Sequence, residues 1–360
     1  MEYSFAGASD TDTFRWFAEG LKEVMAEKGH TFTDDHDRAK LVVNFFPKDE
    51  PRPFRRSGQA VFVCSVSEFE NPFVEPIPQG YPTLVRSLAN LVVGLVNGGD
   101  SDPDAHFITP EQGHYVVSGN HDRRQYFERV YTRIHPLASS TLVINNLFQD
   151  DLPEELWQGD EITASLTRAG KKLAELDLLP APFPMNELLP ARDVKQLKRL
   201  FGIGGLSYGN LSARYDKDWF WMSASGVDKS NLQEIGRDIL MVKDYDAEQV
   251  GMVVAHPPGV VPRRVSVDAI EHWMIYQEHP SVGAILHVHG WIKGVPSTEF
   301  NYPCGTRELG QAVADIVREA DEPDRCVVGL KNHGLTITGR TLDEIFERIE
   351  GKVLPTVPMD

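Results

Sequence analysis

At 360 residues, with 41% hydrophobic and 25% charged side chains, the chain has the composition of an ordinary globular protein with room for two cores. A formal net charge of −17 excludes a polyanion such as nucleic acid as the expected partner, though a locally positive pocket can still take a small anionic substrate. No apolar run nears the roughly 20 residues that span a bilayer, the start lacks the basic and apolar parts of a secretory signal, and three cysteines (Cys64, Cys304, Cys326) are too few for a disulfide framework, so the expectation is a cytoplasmic protein without a membrane partner.

In chain order, Phe14, Phe17, Leu21, Val24 and Met25 recur at three and four residues and predict an amphipathic helix over 11–28, stopped by Gly29. Lys40 to Phe46 and Ala60 to Val66 are rich in β-branched and aromatic residues and predict strands. The basic loop between them, Pro51-Arg-Pro-Phe-Arg-Arg56, is either an anion holder or a solvated surface stretch. Residues 81–96 are ambiguous between helix and strand; 114–117 and 141–145 predict strands, and 123–134 a helix. The alternation suggests a small α/β domain over residues 1–150, in which no catalytic motif stands out.

Residues 151–185 turn acidic and then proline-rich, as in Leu179-Pro-Ala-Pro-Phe-Pro184, which predicts an extended linker before a second domain over 186–360. A helix over 191–201 runs into Gly202-Ile-Gly-Gly-Leu-Ser-Tyr-Gly-Asn-Leu-Ser212. The dinucleotide fingerprint requires glycine where Ser207 stands and a strand where this helix stands, so that reading is weak. What remains is a loop approaching something closely, with Ser207 and Asn210 as donors, or a plain turn. The strand candidate 219–223 ends at Ser225-Gly226, where a hydroxyl and an exposed amide would suit phosphate oxygens, or a tight turn alone would explain the glycine.

The chemistry concentrates further on. Ser266 is the expected N-cap of a helix bearing Val267, Ile270, Met274 and Ile275 on one face, with Asp268 in its first turn and His272 one turn later. An apolar strand, Val282 to Leu286, then runs into His287-Val-His-Gly290. Residues two apart on a strand share a face, so His287 and His289 are candidates to share a metal, unless they are core histidines. A strand over 326–331 ends at Asn332-His333-Gly334, followed by a strand at 335–338 and a helix capped by Thr341 and Glu344. His333 would complete a three-histidine set with an open fourth position, the catalytic pattern for zinc.

Taken together, Gly209-Asn-Leu-Ser-Ala-Arg214, Ser223-Ala-Ser-Gly226, Ser266-Val-Asp268 with His272, His287-Val-His-Gly290, Gly305-Thr-Arg-Glu-Leu309 and Asn332-His-Gly-Leu335 resemble the class II aldolase and adducin family, the group of fuculose-phosphate aldolases and ribulose-phosphate 4-epimerases, over about residues 185–350. The resemblance implies an α/β/α sandwich around a mainly antiparallel sheet. It also implies zinc, with manganese or cobalt as alternatives, on His287, His289 and His333. Asp268 matches the proton-transferring acid, and Tyr302 is an approximate match, displaced by one position, to a family tyrosine. Ser207, Asn210, Ser225, Gly226 and Ser266 match the positions that hold a substrate phosphate, and the family's enzymes form tetramers with sites between subunits.

The chain departs from the family pattern in four places. Asp268 stands as in the epimerases, where the aldolases carry Glu, and Val267 replaces a second phosphate-binding serine. The stretch between His289 and His333 is short, and no match to the family's C-terminal helix and tyrosine follows Glu350. The leading expectation is a zinc-dependent carbon–carbon lyase performing retro-aldol chemistry on a sugar-derived hydroxy-carbonyl compound, phosphorylated or free, through a metal-bound enediolate. The same site suits epimerisation, dehydration or decarboxylation. Two further readings are an adducin-like non-catalytic interaction module and a recognition domain in the first half with a structural metal in the second.

Overall fold

A computed structural model describes residues 1–7, 10–55, 61–70, 73–97, 101–109, 114–120, 122–179, 187, 189–195 and 208–359. The chain divides into one compact unit of Met1–Ser140, Asn186–Gln196 and Met359–Asp360, and a second of Thr141–Met185 and Leu197–Pro358. Among the described residues no helix is long and apolar enough to cross a membrane.

In the first unit, strands β1 (Glu2–Gly7), β2 (Thr31–Phe32), β3 (Leu41–Phe45), β4 (Phe62–Phe69), β5 (Leu91–Val96), β6 (Asp104–Ile108) and β7 (His114–Val117) form one sheet in the order β2-β1-β3-β4-β5-β6-β7. The first five are parallel, and β6 and β7 are antiparallel additions at the edge. Every residue of β3 and β5 is buried, as expected for strands covered on both faces. Helix α1 (Asp12–Glu27) buries the expected apolar positions, and Thr11 caps it by accepting from the Phe14 amide. The ambiguous stretch resolves into helix α2 (Pro76–Ser87) followed by β5, and α3 (Arg123–Ser139) packs on α1. Residues 186–196 return to this unit, where buried Asp193 accepts from Arg86 at 2.8 Å.

The second unit holds an eight-stranded sheet. Its strands are β8 (Asn145–Gln149), β9 (Asn210–Arg214), β10 (Phe220–Ser223), β11 (Ile239–Asp246), β12 (Gly251–Ala255), β13 (Ala284–Val288), β14 (Val327–Leu330) and β15 (Gly334–Gly339), ordered β14-β15-β13-β9-β10-β11-β12-β8. All neighbours are antiparallel except the edge pair β12 and β8. Side-chain alternation sorts the two faces. Ala213 on β9 is opposite Trp221 on β10, whose indole donates to Asp160 at the start of helix α4 (Glu161–Glu175). Ser212, His287 and Thr336 project to the other face, where α5 (Ala269–Glu278) packs with α6 (Arg307–Glu319). The last helix, α7 (Leu342–Ile349), packs on β13, β15 and α4. Helices thus lie on both faces of a mainly antiparallel sheet, the expected α/β/α sandwich.

Two expectations need correction. The stretch 151–185 is not wholly an extended linker, because it carries α4, whose capping box pairs the Asp160 side chain with the Thr163 amide and the Thr163 hydroxyl with the Asp160 amide. Such a cap is worth about 1 kcal/mol, and the buried face of Leu166, Ala169 and Leu173 ties α4 into the core of the second unit. The strand expected at 141–145 begins only at Asn145, since Thr141 and Val143 bond to the segment before α6. The proline run itself, 180–184, and the glycine-rich stretch through Ser207 lie outside the described residues, as does all but the first part of the helix expected over 191–201.

Strand β13 is approached from both sides by glycines. A Cβ on Gly209 would stand 2.4 Å from the His287 carbonyl oxygen, and one on Gly334 would stand 2.3 Å from that of Val288. Gly209 also has a left-handed φ of 71°. We expect Gly209→Ala to destabilise the protein by about 2 kcal/mol or more, read as a lower urea midpoint; an unchanged midpoint would show that the strand ends are not closely packed.

Candidate metal centre

The last residues of β13 and the turn between β14 and β15 bring three imidazoles together. His287 is the fourth residue of β13, and His289 follows the strand's end. His333 sits in the β14–β15 turn, where its amide donates to the Leu330 carbonyl and Asn332 takes the left-handed conformation at φ 56°. Asparagine is among the few residues other than glycine that accept that conformation cheaply. The ring centroids are 4.8 to 5.0 Å apart, and one candidate ligand atom from each residue lies within 4.8 Å of the others. Nε2 of His289 is 3.3 Å from Nε2 of His333.

The hydrogen bonds orient these rings for ligation. Nδ1 of His287 is 3.0 Å from the Leu335 carbonyl oxygen, which can only accept, so the proton is on Nδ1 and the lone pair on Nε2. That Nε2 is buried with no hydrogen-bond partner. Burial pulls all three histidines below their ordinary pKa, His289 and His333 well below it with mutual repulsion adding, so the imidazoles are neutral. Three neutral rings with nitrogens this close suit zinc, and the buried, unpartnered Nε2 of His287 fits a metal ligand.

Around this cluster lies a set of buried charges. Asp268 is 5% exposed, and Asn210, the cross-strand partner of His287, donates to its Oδ2 at 2.7 Å. Its Oδ1 has no partner, nor does Oδ1 of Asn210. Asp268 is itself the N-cap of α5, where Ser266 was expected. The reason is long-range: Val265 bridges to Ala224 and the Ser266 amide donates to Ser223, holding the chain extended until 266. That same bridge sets Ser225 and Ser266 at neighbouring chain ends, with Gly226 in the turn at φ 70°. Ser207 lies outside the described residues. Tyr302 is half-buried against Phe300, with ring centroids 5.9 Å apart, and no hydrogen bond or ring contact joins it to the histidines.

Three groups near the site were missed in the sequence. Lys229 is 3% exposed, and burial lowers it to about 8 against the opposing pull of Asp268 and Asp228. Nothing local marks it. Glu271, one helical turn past Asp268, is 1% exposed and accepts from the Thr336 hydroxyl. Burial and the Asp268 charge push it up to about 8. Its signal was available: an acid within an otherwise apolar helix. Cys304, with Sγ 3.4 Å from Nε2 of His333, was visible only as a lone cysteine in the shortened stretch. His272 is fully buried, lowered to about 3 by burial and by His287, and its Nδ1 meets the Ser212 hydroxyl at 2.7 Å.

Glu271 makes stability depend on pH. Its folded pKa is raised, so the stability that the neutral carboxyl contributes is complete below its ordinary 4.5 and is lost as pH rises through about 8. Relative to wild type, Glu271→Gln should therefore gain in urea midpoint from pH 5 to pH 8; a constant difference would mean that Glu271 is ionised throughout.

Comparison with known proteins gives one family match and several distant relatives. Residues 194–292 and 293–351 match the family described as Class II Aldolase and Adducin N-terminal domain. A methylthioribulose-1-phosphate dehydratase of Citrobacter koseri is 27% identical over 172 residues, 40% of this chain and 78% of that protein. One from Leptospira biflexa is 27% identical over 156 residues, 42% of this chain and 69% of its own. Among solved structures, an L-fuculose 1-phosphate aldolase aligns with 19% identity and a TM-score of 0.34, covering 56% of this chain and 92% of that one. The likeness of this chain to the class II aldolase and adducin family thus lies in residues 194–351, the part that matches the family model.

Proposed function

We propose that the second unit is a metal-dependent lyase acting on a sugar-derived hydroxy-carbonyl compound, with His287, His289 and His333 as the metal ligands. The observation that carries this reading is the buried Asn210–Asp268 pair beside three imidazoles whose ring nitrogens lie within 4.8 Å of one another. A zinc ion there would supply Lewis-acid stabilisation for negative charge developing on substrate oxygens. Asp268 is the group that would take a proton from the carbon next to the carbonyl. Asn210 fixes one of its oxygens and leaves the other without a partner, which orients the carboxylate for that transfer. Lys229, buried within the field of Asp268, offsets part of the cost of placing that carboxylate away from water.

For the substrate's other end, Ser225, Gly226 and Ser266 supply hydroxyls and an exposed amide where β10 meets the approach to α5, a surface suited to phosphate. Two lyase reactions are open to such a site, and they differ in the proton removed: carbon–carbon cleavage takes the proton of the β-hydroxyl, whereas loss of that hydroxyl as water takes the proton of the carbon next to the carbonyl. The curated relatives favour the second, since those reported above are named dehydratases. Asp268 stands as in the epimerases and leans away from simple aldol cleavage.

Purified protein should hold about one equivalent of zinc per chain, lost in His287→Ala. Less than half an equivalent, unchanged by that substitution, would sink the metal reading. Asp268→Asn should keep the metal and lose turnover by roughly 10²-fold or more; retained turnover would assign the proton to another group. A panel of matched phosphorylated and free sugars, scored for water loss against aldehyde fragments, separates the two lyase reactions.

A further inference from the structure

The loop that carries Cys304 is fastened to the element that carries His333. At its start, the Thr298 amide donates to the Gly329 carbonyl, and the Lys331 amide donates to the Thr298 hydroxyl. At its end, the Thr306 hydroxyl donates to Pro303 and also caps α6, while the Gly305 carbonyl accepts from Val143. The first anchor holds the loop against β14 and the turn that follows it, and the second ties its end to the segment before β8. His289 and His333 are only 44 positions apart in the chain. The result is a thiol on the histidine cluster: Sγ of Cys304 stands 3.4 Å from Nε2 of His333 and 3.9 Å from its Nδ1.

Those two distances place the sulfur along one side of the ring, so a cation about 2.0 Å beyond Nε2 would stand within roughly 4 Å of it. A rotation about the Cys304 side chain then closes the gap to the zinc–sulfur distance of about 2.3 Å. Independently, the buried and unpartnered Nε2 of His287 aims into the same cluster. Three histidine nitrogens leave one tetrahedral position for a fourth group, and Cys304 is the sulfur within reach of it.

We infer that Cys304 is a fourth protein ligand of this centre, binding as thiolate in the absence of substrate and giving its proton to solvent as the metal–sulfur bond forms. This rests on reading the three histidines as a metal centre. The bond closes the position that a hydroxy-carbonyl substrate must occupy, so substrate enters by exchanging with sulfur. Three nitrogens and one sulfur also form a softer set than three nitrogens and water, which favours zinc over manganese.

Cobalt(II) titration of the full-length protein tests the assignment without an activity assay. Wild type should develop a thiolate-to-cobalt charge-transfer band in the near ultraviolet. Cys304→Ser and Cys304→Ala should bind cobalt with that band lost and with affinity weakened at least about tenfold. Cys326→Ser, which alters a buried thiol on β14's approach, should keep the band. Cobalt binding without the band, or a band that survives both Cys304 substitutions, overturns the cysteine ligand and leaves the histidine centre standing. Failure of wild type to bind cobalt or zinc overturns the centre itself.

Discussion

The hydrogen bond from Nδ1 of His287 to the Leu335 carbonyl is the point on which the site turns. It exists because β13 and β15 are antiparallel neighbours in a register that sets Val288 opposite Leu335 and His287 opposite Thr336. A polar bond between one strand's side chain and the next strand's backbone fixes ring and tautomer together, before any ligand arrives. The register is held in turn by glycines where β9 and β15 pass the end of β13, since a side chain at either place would meet a carbonyl oxygen. Position, tautomer and orientation therefore depend on sheet geometry, and a histidine here is preorganised rather than recruited.

The surrounding charges follow from the same geometry. Alternation along β9 and β15 sends Asn210, Ser212 and Thr336 to one face, where α5 presents Asp268, Glu271 and His272. Each meets a strand side chain through a hydrogen bond, which is how a helix can bury two acids and an imidazole against a sheet. Burial separates their behaviour. Glu271 is pushed toward its neutral form and His272 is kept neutral. Such separation is common where proton transfer is needed.

Much of this was legible in the sequence, and the losses have physical causes. The periodicity of α1 with Thr11 ahead of it, the capped start of α7, and the strands leading to His287 and His333 are local patterns, and local patterns survive folding. Ser266 was misread as a helix cap because its backbone is committed to a strand far earlier in the chain, at Ser223, a contact that no local rule contains. Helix α4 was hidden by the prolines that follow it, although Asp160 and Thr163 carried a capping signal. Lys229 and Cys304 reach the site from loops, through tertiary packing alone.

The corrected place of residues 141–185 has a consequence for the limits of the second unit. Strand β8 pairs in parallel with β12 and forms the sheet's outer edge; its residues are polar apart from Leu147 and Phe148, and Asn145, Phe148 and Gln149 are exposed. Edge strands of that kind guard a sheet against pairing with other chains. A polypeptide cut at the family match, near residue 194, would lack both β8 and α4 and would present the hydrophobic β12, Gly251–Ala255, as an open rim. The segment that precedes the recognisable family region thus supplies the edge strand of its sheet and covers β12.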